Sequence, residues 1–230
     1  MIKAELQPTI DNNFQIVYDE NTPTTFEKIL YDSQKLEMCD NVKGACDLRY
    51  EGFQQLMKLL PEDEAISLDW EDKNSYNAMM LLSFTAIDHF LIGDFEMSAA
   101  MCELLLDLDP EDHTDATKRL AYSYVALEEW ELFDEVIDDI SDKYPEKSIL
   151  KLWSGFLQGG KIEQGELRHF KKSFEPYFTE FTLDAHPADE EFIAEIESDR
   201  PSKSAYAREL WLQTEHIWKQ NESFIAALKN

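Results

Sequence analysis

The stretch that decides the fold is Tyr76–Asp112, which reads YNAMMLLSFTAIDHFLIGDFEMSAAMCELLLDLDPED. Apolar residues recur at helical spacing from Tyr76 to Leu91 and again from Phe95 to Leu108. Between them, Ile92-Gly93-Asp94-Phe95 interrupts the pattern, and Asp109-Pro110 closes it. Glycine allows a tight turn. Proline lacks an N–H and forces the residue before it out of the helical region. The stretch therefore predicts two short helices joined by a tight turn, an αα-hairpin.

Working outward, the same local shape returns. An apolar helical run followed by proline and acids occurs at Leu56–Asp63, Leu104–Asp112 and Ile140–Lys147, with Pro176 as a fourth stop. Pro110 to Pro145 spans 35 residues, Pro145 to Pro176 spans 31, and Pro61 to Pro110 spans 49. The longer interval implies an insertion, placed at Glu62–Ser75. Midpoint breaks at Glu128-Glu129-Trp130 and Gly159-Gly160-Lys161 divide the later units into Asp115–Leu127 with Glu131–Ile140, and Ser148–Gln158 with Ile162–Phe174. A period in this range is the signature of stacked repeats, because one hairpin cannot bury its apolar stripe alone.

These residues resemble the tetratricopeptide repeat (TPR) family. Ala86 takes the small first-helix position, Gly93-Asp94-Phe95 the turn, Ser98 the next small position and Asp109-Pro110 the end. Thr114–Pro145 is similar through Ala121, Tyr124 and Trp130, but departs where Phe133 and Ile140 replace small residues. Lys147–Pro176 and the unit ending at Pro61 match in spacing only, with Gly159-Gly160 and Gly44 near the turn positions. The resemblance implies an all-α fold, a right-handed α-α superhelix of TPR-like helical hairpins with a C-terminal capping helix.

The expected organisation has three parts: residues 1–24 as an N-terminal arm, 25–176 as the repeat region, and 177–230 as an acidic segment with a capping helix. In the arm, Phe14–Tyr18 reads as a short strand or extended piece between Asn12-Asn13 and Asn21-Thr22-Pro23. Thr24-Thr25 is placed to cap a helix over Phe26–Met38. Tyr177–Leu183 is apolar and β-prone. From Asp184 to Asp199 there are seven acids and no base, with Pro187 at a helix start and Phe192, Ile193 and Ile196 as an apolar side. Ser202 or Ser204 caps a final helix to about Leu228.

Lys+Arg is 21 against 48 for Asp+Glu, a net charge of −27, so the surface repels phosphate backbones and anionic leaflets. Nucleic acid and membrane are thereby excluded as expected partners, and a basic protein or peptide is favoured. The N-terminus shows no cationic segment followed by an apolar run, and Ala78–Ile87 is too short to span a bilayer. Three cysteines, Cys39, Cys46 and Cys102, form no CxxC pair and read as reduced core thiols of a cytoplasmic protein.

No catalytic constellation emerges. HExxH, a phosphate loop, GxGxxG and GxSxG are missing, and the five histidines share no helical ligand spacing. His89 reads as a packed residue, and His186, beside Asp184 and Asp189, as a loop histidine rather than a metal ligand. The expectation is a non-enzyme with no cofactor and no metal. From Glu103 to Glu146, fifteen acids face three bases, either a solvated face or a docking strip for a basic ligand.

In the family the first helix of each unit lines a concave groove. The resemblance therefore implies partner-binding positions at Ser83, Ile87, Phe90, Lys118, Tyr122 and Val125, with Met80 and Asp115 beside them. Only Lys118 is basic there, which argues against a clamp for a peptide carboxylate. The expected function is a scaffold or adaptor binding a protein or peptide through that groove. The alternatives are an acidic inhibitor or chaperone masking a basic protein and, last, an enzyme with a carboxylate or metal site in Tyr177–Arg200.

Overall fold

Local capping chemistry sets the helix boundaries. Thr25 accepts the Lys28 N–H and starts α1 (Phe26–Met38), and Asn41 accepts from Gly44 and starts α2 (Val42–Met57). Asp94 accepts from Met97 and starts α4 (Phe95–Leu108), which follows α3 (Lys73–Leu91). In each case an oxygen satisfies an amide that the first turn leaves without a partner. Gly93, between α3 and α4, adopts φ +80, which only glycine takes without strain.

The remaining helices are α5 (Ala116–Leu127), α6 (Trp130–Val136), α7 (Pro145–Gly159), α8 (Gln164–Ser173), α9 (Glu175–Phe181), α10 (Glu190–Ile196), α11 (Lys203–Gln220) and α12 (Glu222–Leu228). The protein is mostly helical. The computed structural model describes residues 1–10, 13–61 and 64–229, so Asn12, Glu62 and Asp63 lie outside the described residues.

The chain divides into two compact units, Met1–Phe90 with Asp94–Ser123, and Leu91–Gly93 with Tyr124–Asn230. In the first, strands β1 (Ala4–Pro8) and β2 (Phe14–Tyr18) pair antiparallel, Leu6 opposite Ile16. This hairpin is docked onto the helices. Ile16 is fully buried and its N–H donates to Ser75 Oγ at 3.1 Å, while Asn74 donates to the Ile16 carbonyl at 2.8 Å. The Tyr18 hydroxyl accepts the Phe26 N–H at 3.0 Å, and burial pushes its phenol up to about 12.

Small residues bring the helices of this unit together. Ser98 of α4 donates to the Ala86 carbonyl of α3 at 3.0 Å, both residues being fully buried. On α2, a Cβ on Gly52 would lie 2.6 Å from Leu81 of α3 and 3.2 Å from Ile29 of α1. Gly44, by contrast, lies inside the first turn of α2, and the break before it falls at Asp40, with φ 57. A buried Arg49 ties the three helices, with Nε and Nη2 on Asp88 at 2.7 and 2.8 Å and Nη1 on Glu37 at 2.8 Å. Burial opposes its charge, but these carboxylates hold the guanidinium protonated above its ordinary range.

The second unit is built around aromatic side chains. Trp153 of α7 meets Trp218 of α11 edge-on at 5.3 Å, and Phe181 of α9 meets Trp211 and Trp218 at 5.1 and 5.4 Å. Phe156 of α7 touches Phe224 of α12 at 5.6 Å. The sequence expectation of β-prone structure at Tyr177–Leu183 is overturned, because helix α9 places Phe181 among these rings and packing overrides local preference. Pro145 and Pro176 also act differently from the expectation. They stand in the first turns of α7 and α9, where a missing N–H costs nothing, and so begin helices rather than end them. The final helix divides at Asn221, whose amide bonds back to the Ile217 carbonyl at 2.9 Å.

Candidate functional site

The six expected partner-binding residues sit on α3 and α5. Ser83, Phe90, Tyr122 and Val125 are buried, at 4, 6, 3 and 0% exposure. Ile87 and Lys118 are half-buried. Phe90 and Tyr122 come together edge-to-face at 6.1 Å, and Phe90 also meets Phe95 at 5.7 Å. Lys118 pairs with Asp115 at 3.2 Å. The two rings are core side chains in this arrangement, so the open part of the row consists of Ile87, Lys118 and the neighbouring Met80.

The acidic strip is differently disposed. Glu128, Glu129, Glu131, Asp134, Glu135 and Asp138 are all exposed around α6, whose inner side buries Phe133 and is followed by buried Ile137 and Ile140. Lys147, itself nearly buried, reaches Asp142 at 2.9 Å and Asp138 at 3.7 Å, and holds the Asp142 carboxyl below its usual range. Among the described residues, Glu128, Glu129, Glu131, Asp134 and Glu135 form no ion pair. They concentrate negative charge on and beside one short helix.

Two polar clusters escaped sequence reading. In the first unit, His113 lies flat on Trp70, with ring centroids 4.4 Å apart and planes 11° apart. Its Nδ1 is 2.8 Å from Asp109 Oδ1, and its backbone N–H donates to Asp109 Oδ2 at 2.8 Å. The hydrogen bond to Asp109 raises the imidazole above its ordinary pKa, with Glu111 and Glu71 adding to the effect. Asn13, Ser67, Asp69 and Glu71 border an open recess of about 330 Å³ beside this stack.

In the second unit, His186 stacks on Trp211 at 3.8 Å and 20°, and its Nδ1 is 2.7 Å from Glu180 Oε1. Arg208 Nε donates to the same oxygen, and Arg208 Nη1 donates to the Pro187 carbonyl at 3.0 Å. Glu180 is 5% exposed. His186 lies in the loop between α9 and α10, as expected, but its side chain is not among the solvated acids: it is 9% exposed and its partner is a buried glutamate. The available signals were Arg208 three residues before Trp211 on one helix face, and Asp109 four residues before His113.

His89 is half-buried, with Nδ1 2.9 Å from Asp94 and its ring 5.6 Å from that of Tyr50. Of the thiols, Cys102 is buried and Cys46 half-buried, and burial pushes both up. Cys39 departs from the core expectation and is exposed, because it caps the C-terminus of α1 beside the turn. Among the described residues, no group of three or more His, Cys, Asp and Glu side chains converges on a point able to hold a metal ion, and no helix is long and apolar enough to cross a membrane. In comparison with known proteins, no family model, no curated protein and no solved structure matches this chain.

Proposed function

We propose that this chain is a non-enzymatic protein-binding module of TPR-like hairpins, arranged as a right-handed superhelix capped by α11, and that its ligand is a basic protein or peptide. The observation that carries this reading is the exposed carboxylate row from Glu128 to Asp138, set against the burial of Phe90 and Tyr122. A surface of one sign attracts and orients an oppositely charged partner and repels polyanions. In this role the chain masks a basic protein as an inhibitor or chaperone does, in a cytoplasmic setting that suits its unpaired thiols.

The test is affinity capture with the full chain at about 50 mM and about 300 mM salt, since added salt shortens the reach of exposed charges. Basic proteins are expected at low salt, with most of the capture lost at high salt and in a Glu131→Lys/Asp134→Lys/Glu135→Lys variant. Capture that ignores both changes would sink the proposal.

An adaptor reading, in which a peptide lies along α3 and α5, draws support from the half-exposed Ile87 and Lys118. It predicts that Ile87→Ala with Lys118→Glu abolishes capture while the α6 variant leaves it intact.

A further inference from the structure

Helix α10 departs from the other helices in one respect: none of its residues is buried. Such a seven-residue helix is too short to persist on propensity alone, so its support comes from its ends. Asp189 accepts the Phe192 N–H at 2.9 Å, and Glu190 and Glu191 occupy the first turn, where negative charge favours a helix. Upstream, the chain is pinned by the His186–Trp211 stack, by Arg208 on the Pro187 carbonyl and by Lys229 on Asp184 at 2.7 Å. Downstream, Ser202 caps α11, against which α10 packs.

At about 100° per residue, Phe192, Ile193 and Ile196 share one stripe, bounded by Glu191 and Glu195 on one side and by Glu190 and Glu197 on the other. Phe192 and Ile196 are half-buried, and Ile193 is 44% exposed. An apolar stripe is thus presented at a fixed position and framed by carboxylates on both edges.

We infer that α10 is a docking helix for a basic protein whose cleft takes Ile193 and the open edges of Phe192 and Ile196 between lysine or arginine side chains. Charge identifies the occupant. The segment Asp184–Asp199 holds seven acids and no base, and the whole chain carries −27, so a second copy or an anionic membrane is repelled. This inference rests on the basic-partner reading above and adds an apolar anchor to it at α10.

The test titrates the full chain calorimetrically with a synthetic amphipathic peptide of lysine and leucine at helical spacing, and with polylysine of equal charge. The mixed peptide is expected to bind tighter than polylysine. Ile193→Ser should weaken it about tenfold, the loss typical of a central apolar anchor. Glu191→Gln/Glu195→Gln should weaken both ligands. Ile193 is exposed, so Ile193→Ser is expected to keep the thermal midpoint, and Phe192→Ala serves as a second probe of the stripe.

Unchanged affinity in both apolar variants overturns the inference. If only the α6 charge variant removes binding, the basic-partner reading stands and the α10 inference falls. If neither peptide binds the wild-type chain, both fall. Concentration-dependent dimerisation abolished by Ile193→Ser would assign the stripe to a second copy and overturn the inference as well.

Discussion

Each unit lays a histidine on a tryptophan and bonds it through Nδ1 to a carboxylate, and the two clusters differ in what else that carboxylate holds. Among the described residues, the Asp109 carboxylate serves His113 alone, bonding both its ring nitrogen and its backbone N–H. Glu180 serves His186 and Arg208 together, and Arg208 continues to the Pro187 carbonyl. The side chain of His113 is 35% exposed, whereas that of His186 is 9% exposed. Both carboxylates are buried, at 5% exposure each, so the clusters differ in the histidine and its company: a half-exposed ring on a buried aspartate in the first, and a buried ring and an arginine sharing one glutamate in the second.

The largest effect is expected where the clasp is broken. Glu180→Ala leaves Arg208 and His186 facing an empty buried position, and should cost about 3 kcal/mol, the low end for a broken buried pair because Arg208 still reaches water. Glu180→Gln, which keeps an acceptor, should cost less. Chemical denaturation of both variants checks the ordering, and equal losses would mean that the clasp is held by shape rather than charge. Asp109→Ala should cost less than Glu180→Ala, about 1–2 kcal/mol, because it removes the acceptor of one amide and one half-exposed ring. A larger loss for Asp109→Ala, measured the same way, would invert the comparison.

Much of the helical framework was readable because it is specified locally. Thr25 and Asp94 cap α1 and α4, and both helices have the bounds expected from sequence, Phe26–Met38 and Phe95–Leu108. The Gly159-Gly160 break likewise ends α7, with Gly160 at φ 66. Readability failed wherever distant residues decide. Tyr177–Leu183 has the composition of a strand, yet Pro176 can open a helix there and the rings of Trp211 and Trp218 receive Phe181. The pairing of Glu180 with Arg208 crosses 28 residues, and that of Arg49 with Asp88 crosses 39, so neither leaves a trace in spacing. At the expected groove, Ile87, Phe90, Tyr122 and Val125 were legible as apolar side chains. Which of them face outward depends on packing, and that left Ile87 open and Phe90 closed.

The smallest effect tests the comparison through pH. Because Asp109 raises the His113 pKa in the folded chain above the ordinary 6.5, the native state binds that proton more tightly than the unfolded state. The resulting stabilisation is fully present below about pH 6.5 and disappears as pH rises through the folded value. His113→Gln keeps a polar side chain over Trp70 but cannot titrate. The thermal midpoint of the wild type should therefore exceed that of His113→Gln by more at pH 5.5 than at pH 8, and the gap should shrink when Asp109→Asn is present in both. The exposed ring keeps this difference small, since water screens the pair. A gap that does not narrow between those two pH values would mean that the stack on Trp70, rather than the proton shared with Asp109, holds His113 in place.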